Sequence, residues 1–291
     1  MNKSPFHQFS SPAKLNLFLH IVGRRSDGYH QLETLFQFID RCDTLEIRIT
    51  NSPTINLLTP IEGVAKEDNL IFKAAKLLQN KTRCRQGAEI KVNKILPMGG
   101  GLGGGSSNAA TVLMALNILW KCQLPLNELT KLGVSLGADV PIFIHGFSAF
   151  AQGIGEKLTV KKPKEYWYLV SKPECSISTA EIFTHKDLPR NTPKLNTTDI
   201  ELKNCRNDCQ TLVIKHYPKV ANLLSWLLEY APSRMTGTGA CVFTQFNSQA
   251  EALLIQSKLP LEVKSFVAKG INESPLLEEL KALRDTTNLF K

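Results

Sequence analysis

The sequence is most constrained by a glycine cluster in residues 97–108, which read Pro-Met-Gly-Gly-Gly-Leu-Gly-Gly-Gly-Ser-Ser-Asn. Six of the seven residues from 99 to 105 are glycine. Each glycine loses more backbone freedom on folding than any other residue, so a simple connector would not need six of them. Without side chains, successive N–H groups can turn inward toward an anion, and a helix that follows adds partial positive charge at its N-terminus. The cluster therefore predicts a phosphate-binding loop.

The residues on either side of the cluster predict a strand before it and a helix after it. Residues 88–96 alternate apolar and polar side chains, as in a strand with one buried face, and Pro97 ends the alternation. From Ala109 to Trp120, apolar residues recur at intervals of three and four, which is helical spacing. Residues 106–108 then stand where the N-cap of that helix is expected.

Two common phosphate loops share this order of strand, loop and helix. A Walker loop requires a lysine where this chain has Gly105. The dinucleotide fingerprint is matched by Gly99, Gly101 and Gly104, but a segment so rich in glycine meets that pattern by chance. The acidic residue that should end a second strand is missing, because Glu128 falls in a predicted helix, 126–136. A Rossmann oxidoreductase is therefore a weak alternative. A flexible linker is a weaker one, because a linker would not be flanked by segments with strand and helix periodicity.

Composition limits the class of protein and of ligand. The 291 residues are 43% hydrophobic and 21% charged, which is typical of a globular chain with one large or two ordinary domains. No apolar run approaches the ~18 residues of a membrane span, and residues 1–8 lack a signal-peptide core, so we expect a cytoplasmic protein without a membrane partner. Seven scattered cysteines predict reduced thiols and no metal site. The net charge of +9 is spread along the chain, which favours small phosphorylated ligands over nucleic acid.

Three further segments carry candidate residues for chemistry. Lys14 and Asn16 point to one face of a strand-like run, where an unpaired buried ammonium would be costly, and a solvent-exposed edge lysine is the alternative. The turn through residues 27 and 28 presents Tyr29 and His30, which suit a nucleobase or a sugar, although such a pair is often only surface decoration. Asp139 lies in a rigid Gly-Ala-Asp-Val-Pro turn and could accept a proton from a substrate hydroxyl, or could merely cap a helix.

The order of predicted elements indicates an α+β fold with two lobes and an active site in the cleft between them. We expect residues 1–160 to form an N-terminal domain that binds ATP and substrate, and residues 161–291 to form a C-terminal domain that closes the cleft. Residues 189–199 are predicted to be a long loop. Further predicted strands lie at 15–21, 45–49, 167–170 and 240–246, and further predicted helices at 69–79 and at 210–229, the latter interrupted at Pro218.

Five segments together resemble, in order, the small-molecule kinase superfamily named after galactokinase, homoserine kinase, mevalonate kinase and phosphomevalonate kinase (GHMP). These segments are residues 12–18, 23–34, 97–110, 137–141 and 234–241. The Gly-Tyr-His sequence at residues 28–30 resembles, in particular, the members of this superfamily that phosphorylate a cytidine diphosphate-linked methylerythritol. The resemblance implies ATP and Mg²⁺ as cofactors, such a small molecule as substrate, and a monomer or weak homodimer. A mevalonate or homoserine kinase, or a nucleotide-binding module without catalysis, remains the alternative.

The resemblance also implies roles for particular residues. It implies Lys14 and Asp139 as the catalytic pair, and it names no Mg²⁺ ligand securely, although Ser106 or Ser107 could serve. The implied phosphate-binding residues are Pro97, Met98, Gly99, Gly100, Gly101, Leu102, Gly103, Gly104, Gly105, Ser106 and Ser107. The implied substrate-binding residues are Asn16, Tyr29, His30, Phe183, Gly237 and Gly239.

Overall fold

The computed structural model describes residues 4–26, 28–195 and 200–289, which hold ten strands and nine α-helices. The strands are β1 His7–Arg24, β2 His30–Thr50, β3 Ile55–Leu57, β4 Gly87–Asn93, β5 Ala149–Gly153, β6 Lys157–Val160, β7 Trp167–Lys172, β8 Ser233–Met235, β9 Val242–Phe246 and β10 Lys264–Ile271. The helices are α1 Leu70–Thr82, α2 Gly104–Leu119, α3 Leu126–Leu136, α4 Val140–His145, α5 Thr179–Thr184, α6 Asp208–His216, α7 Pro218–Leu228, α8 Gln249–Gln256 and α9 Pro275–Leu289. Parts of three predicted features lie outside the described residues: the N-terminal segment 1–3, Asp27 of the predicted turn, and 196–199 of the predicted loop.

Strand β2 is the centre of a sheet that joins both halves of the chain. It pairs antiparallel with β1, β4, β5 and β10 along different parts of its length. The continuous order is β3-β4-β2-β10-β7-β9-β8, and only β3 and β4 among these neighbours run parallel. Because β10 pairs with both β2 and β7, one continuous sheet runs through both lobes.

Three hydrophobic cores lie against this sheet: two larger ones, and a third around β1, β7 and Leu102 of the glycine loop. The first is built from β2, β4 and the helices α1, α2 and α4, and the second from α6, α7, α8 and strands β7 and β9. Helix α9 returns to the first core, where Leu276 and Leu280 are buried. The predicted α+β fold is confirmed, whereas the division of the chain near residue 160 stays a prediction.

The helix after the glycines begins earlier than predicted, the strand before them ends at Asn93 and not at residue 96, and the strand predicted at 240–246 begins at Val242. Helix α2 begins at Gly104, and its N-cap is Gly103 in a left-handed conformation (φ 73°). Residues 106–108 therefore lie in the first turns of the helix, and the Ser107 and Asn108 side chains are buried. The glycine run supplies the turn itself, so a serine or asparagine cap is not required. The predicted helix 126–136 is confirmed, as is the interruption at Pro218, where α7 begins. The helix predicted at 69–79 is present as α1, which runs from Leu70 to Thr82.

Candidate active site

The glycine loop between β4 and α2 requires glycine for both conformation and space. Gly99, Gly101 and Gly103 have positive φ angles of 63°, 76° and 73°. A side chain at Gly101 would overlap the backbone carbonyl of Thr236, and one at Gly103 would come within 2.8 Å of the Phe143 ring. Residues with a Cβ rarely adopt this left-handed conformation.

A second glycine turn, residues 236–241, packs directly against the loop. The amides of Ala240 and Cys241 donate to the carbonyls of Gly99 and Gly100 at 3.2 and 3.3 Å. Thr236 Oγ1 accepts a hydrogen bond from the backbone N–H of residue 16 at 2.9 Å, which ties this turn to β1. Three distant parts of the sequence therefore meet at the loop, and Gly239 lies behind Gly101.

A cavity of about 390 Å³ lies over the loop and is lined by residues 97–106 together with Lys94 and Asp139. The first turn of α2 opens toward it, and this helix end carries roughly half a positive charge in unpaired N–H groups. The predicted phosphate-binding residues from Pro97 to Ser106 all lie in its wall. Such a cavity fits the phosphates of a nucleotide.

Lys14 is buried in the middle of β1, with 2% of its side chain exposed. Its ammonium donates to Asn16 Oδ1 at 2.6 Å and to the Gly101 carbonyl at 3.0 Å, and it lies 3.1 Å from Asp139 Oδ2. An ammonium has three donors, so each has one acceptor. The alternative of an edge lysine in solvent is therefore excluded.

Asp139 stands at the N-cap position of the short helix α4, but its side chain makes no capping hydrogen bond to any described residue. The carboxylate instead faces Lys14 and keeps 36% of its surface exposed. A turn closed by the hydrogen bond from the Val140 amide to the Gly137 carbonyl, 3.1 Å, holds it in place. The helix-cap interpretation is thus excluded, and an open carboxylate lies beside a buried cation.

A second cavity of about 260 Å³ contains Lys14, Asn16, Phe183 and Gly237. It shares Gly101, Ser106, Asp139 and Thr179 with the cavity over the glycine loop. The Lys14–Asp139 pair therefore lies where the two cavities meet. A phosphate held on one side and an alcohol held on the other would both reach this pair.

A third cavity of about 450 Å³ extends the second one and is lined by Tyr29, His30 and Phe183. The His30 and Phe183 rings lie 5.3 Å apart between centroids, tilted by 31°. Tyr29 is 60% exposed at the rim, whereas His30 is buried. Burial, and then the positive charges of Arg190 and Arg24, hold the pKa of His30 below its usual value. The three cavities share lining residues and form one trough, whose end at Tyr29, His30 and Phe183 offers aromatic faces and a neutral imidazole to a flat polar ring.

Ser107 is the one predicted phosphate-binding residue that, within the described part of the chain, lies outside these cavities. Its hydroxyl is buried and accepts a hydrogen bond from Ser11 at 2.8 Å. Asn108 donates to the same Ser11 hydroxyl and to Asp43, a fully buried carboxylate that also accepts from the amides of residues 95 and 96. Lys94 completes this network under the loop.

Sequence reasoning missed Asp43, Lys94 and Arg190. Asp43 and Lys94 stand in ordinary strand contexts, and only their contacts show that they brace the loop. The position of Lys94, shortly before the glycine cluster that begins at Pro97, is the one signal that could have drawn attention to it. Arg190 stands in a predicted loop without any motif, although it donates to His30.

Among the described residues that line the first two cavities, the side chains able to hold Mg²⁺ offer oxygen donors. Elsewhere in the described chain, the potential ligand atoms of His185, Asp187 and His216 lie within 4.8 Å of one another, and none of these residues lines the cavity over the glycine loop. Mg²⁺ prefers oxygen ligands and keeps several waters, so the Ser106 hydroxyl and the Asp139 carboxylate fit it better. In the ranges the structure covers, no helix has the length and apolarity needed to cross a bilayer.

Comparisons with known proteins agree with this geometry. The family models described as GHMP kinases N terminal domain and GHMP kinases C terminal match residues 69–147 and 197–264. A protein of Colwellia psychrerythraea named 4-diphosphocytidyl-2-C-methyl-D-erythritol kinase is 66% identical over 281 residues, which cover 95% of this chain and 94% of the relative. A relative of the same name from Shewanella sp. (strain W3-18-1) is 58% identical and covers 96% of this chain and 99% of its own length.

Solved structures give the same family. The crystal structure of a 4-(cytidine 5'-diphospho)-2C-methyl-D-erythritol kinase matches with a TM-score of 0.79 at 28% identity, over 90% of this chain and 98% of that one. The Methanococcus jannaschii mevalonate kinase matches with a TM-score of 0.65 at 18% identity, over 92% of this chain and 99% of that one, and shows the shared fold alone. The chain therefore belongs to the GHMP kinases, which are ATP-dependent small-molecule kinases, and groups among them with the 4-diphosphocytidyl-2-C-methyl-D-erythritol kinases.

Proposed function

We propose that this kinase transfers the γ-phosphoryl group of ATP to the 2-hydroxyl of 4-diphosphocytidyl-2-C-methyl-D-erythritol, in non-mevalonate isoprenoid precursor biosynthesis. The observation that carries the proposal is the Lys14–Asp139 pair at the junction of two cavities. One cavity has the phosphate-binding loop in its wall, and the other leads to the aromatic end of the trough. The names of the relatives support the choice of substrate.

The phosphates of ATP are held by the glycine loop in this proposal. Residues 99–105, including the start of α2, line the cavity, and their backbone N–H groups would supply partial positive charge to the phosphates without any lysine in the loop. Phosphoryl transfer asks a protein mainly for positioning and charge stabilisation, which such a loop provides.

Asp139 acts as the general base. Its exposed carboxylate accepts the proton of the substrate 2-hydroxyl as the oxygen bonds to the γ-phosphorus and the bond to the ADP oxygen breaks. General-base help of this kind is worth about 10²–10⁴ in rate. Lys14 holds the Asp139 carboxylate in position, and its charge stabilises the developing alkoxide and the phosphoryl oxygens.

Mg²⁺ fits the same junction. Ser106 lines both cavities and offers a hydroxyl oxygen of the kind that would hold Mg²⁺, directly or through water, and the Asp139 carboxylate is left to accept the proton. When bound, the ion neutralises negative charge on the β- and γ-phosphates. The Ser107 hydroxyl is engaged with Ser11, which leaves Ser106 as the better of the two predicted serines.

The cytosine base lies in the third cavity in this proposal, where Tyr29, His30 and Phe183 line the wall. The His30 and Phe183 rings are only 5.3 Å apart, so the base stacks on an exposed ring face and does not insert between these two rings. Stacking of a base on an aromatic ring contributes about 1–3 kcal/mol. Asn16 lies beside Lys14 and faces the polyol, and Gly237 and Gly239 belong to the turn that closes over it. A mevalonate or homoserine kinase would have no use for this aromatic end, because those substrates carry no base.

We also propose that the enzyme works in the cytoplasm as a monomer or weak homodimer. Its net charge of +9 suits anionic small molecules. Residues 1–160 would carry the ATP and substrate contacts, and residues 161–291 would supply the closing turn at 236–241 and Phe183.

A substrate panel tests the proposed function. The purified protein is incubated with ATP and Mg²⁺ and, separately, with the cytidyl methylerythritol, mevalonate and homoserine, while ADP release and phosphorus NMR of the product are followed. We expect ADP and a phosphomonoester with the cytidyl substrate alone. Turnover of mevalonate or homoserine without turnover of the cytidyl compound would contradict the proposal.

A further inference from the structure

We propose that Arg190 is a positioning residue for the base-binding end of the trough, where it fixes the tautomer of His30 and the placement of Phe183. The identity of the bound base rests on the proposed function, whereas the effect of Arg190 on His30 does not depend on which substrate the enzyme uses. Arg190 is half-buried and follows α5 in the segment that runs back along β1.

The guanidinium is saturated by its contacts. An arginine carries five N–H donors in a rigid planar fork, and here each has an acceptor. Its Nε donates to His30 Nε2 at 3.0 Å. The two Nη atoms donate to four backbone carbonyls, those of Phe183, His185, Lys186 and Leu188, at 3.2, 2.7, 3.4 and 3.1 Å. One side chain thus joins the imidazole to the backbone of the residue that carries the facing aromatic ring.

The contact with His30 determines where the imidazole carries its proton. A guanidinium can only donate, so His30 Nε2 must accept and the ring proton lies on Nδ1. Protonation of Nε2 would place two donors and two positive charges against each other. The charge of Arg190 therefore adds to the effect of burial, and Arg24 is the other cation that lowers the pKa of His30. A neutral ring with one fixed donor suits the acceptor atoms of a pyrimidine.

The backbone around Arg190 is held by contacts that do not involve its side chain. The amide of Thr192 donates to the Ile21 carbonyl at 3.1 Å, and the Thr192 hydroxyl donates to buried Asp208 at 2.7 Å. The amide of Leu195 donates to the buried carboxylate of Glu33 at 2.8 Å. Removal of the guanidinium should therefore loosen His30 and Phe183 without releasing the whole segment.

Two substitutions test this role. Arg190→Ala removes the charge and all five donors, and Arg190→Lys keeps a charge but loses the fork. We expect both to raise KM for the cytidyl substrate, by roughly tenfold or more for alanine, since hydrogen bonds from charged groups are lost. KM for ATP and kcat should stay within about twofold, since Arg190 does not line the glycine-loop cavity. Lys186→Ala is the matched control, because it removes a neighbouring exposed charge but keeps the carbonyl that Arg190 contacts.

A substrate-free measurement separates this inference from the proposed function. NMR titration of the His30 ring should show Nδ1–H as the neutral tautomer in the native protein and a higher pKa in Arg190→Ala, because a cation and a donor are removed. The Lys186→Ala control should leave both unchanged. An unchanged His30 pKa and tautomer in Arg190→Ala would overturn the inference, even if the native enzyme proved to use another alcohol. The inference would also be overturned if Arg190→Ala raised KM for the cytidyl substrate and for ATP equally and lowered Tm, because that pattern indicates a residue that only supports the fold.

Discussion

At the scale of single residues, the site depends on a buried cation whose three donors are matched to three acceptors. Lys14 satisfies an amide oxygen, a loop carbonyl and a carboxylate at once. The carboxylate of Asp139 stays open to solvent, so it can lose its partner without being left as an unpaired charge in the interior. These properties separate the role of Lys14 in stability from its role in turnover.

Substitution of Lys14 by methionine should therefore spare the fold and remove most turnover. The apolar side chain fills the same space, but charge stabilisation at the reacting oxygen is lost, which typically costs about 10²–10³ in kcat. Circular dichroism and Tm measure the fold, and ADP release measures kcat. Lys91→Met is the matched control, because Lys91 pairs with Glu46 on the sheet surface outside the three cavities. A folded Lys14→Met protein with normal turnover would refute the role.

Replacement of Phe183 by alanine should raise KM for the cytidyl substrate and spare KM for ATP. The ring lines the two substrate-side cavities but not the cavity over the glycine loop. Loss of about 1–3 kcal/mol of stacking corresponds to roughly a 5- to 150-fold higher KM. Phe266→Ala, on β10 beside Arg41, serves as the control. Equal changes in both Michaelis constants would count against the assignment.

At the scale of elements, the glycine loop combines a strained backbone path with close contact to a second turn. Gly101 has a φ of 76° and no space for a side chain, whereas Gly105 lies inside α2, where a Cβ would meet only Leu70 Cδ1 at 3.6 Å. The two glycines therefore serve different purposes. One is required by conformation, and the other could be replaced without strain.

This difference predicts opposite effects of alanine on stability. Gly101→Ala should lower the free energy of unfolding by more than about 1 kcal/mol, because a left-handed residue gains a Cβ that overlaps the Thr236 carbonyl. Gly105→Ala should raise it by up to about 1 kcal/mol, the helix preference of alanine over glycine. Urea denaturation of both variants checks this pair, and equal destabilisation by the two would contradict the account.

The comparison between sequence and structure is clearest at this scale. The spacing of apolar residues and the glycine content predicted strand β4, the glycine loop and helix α3, because these signals come from residues that are neighbours in the sequence. The start of α2 was missed since the glycines made their own turn, which no capping preference describes. The Lys14–Asp139 contact came from resemblance, because two segments so far apart give no local sign that they meet. Arg190 was missed for a different reason, because most of its hydrogen bonds go to nearby backbone carbonyls, which no residue type in the sequence indicates.

At the scale of the whole molecule, one sheet joins three hydrophobic cores, and the three cavities share lining residues with one another. Burial holds the pKa values of His20, His30 and His145 below their ordinary value of 6.5. For His20 the charge of Asp208 opposes this effect in part. In the folded state these rings are therefore neutral at a pH where the unfolded chain would bind protons.

The fold should consequently lose stability as the pH falls below about 6.5. Between the folded and unfolded pKa values the unfolded state binds more protons, so the free energy of unfolding rises with pH and decreases on acidification. Urea denaturation at pH 7.5, 6.5 and 5.5 measures the trend. Equal or greater stability at pH 5.5 than at pH 7.5 would contradict the burial of these imidazoles.

The central claim is that a loop of backbone amides holds the phosphates while Asp139 takes the proton of the alcohol. Single-turnover kinetics of Asp139→Asn, at saturating ATP and cytidyl substrate, test it most directly, because the amide has the shape of the carboxylate but accepts no proton. The account predicts unchanged ATP binding and a phosphoryl-transfer rate lower by about 10² or more. A rate equal to that of the native enzyme would contradict it.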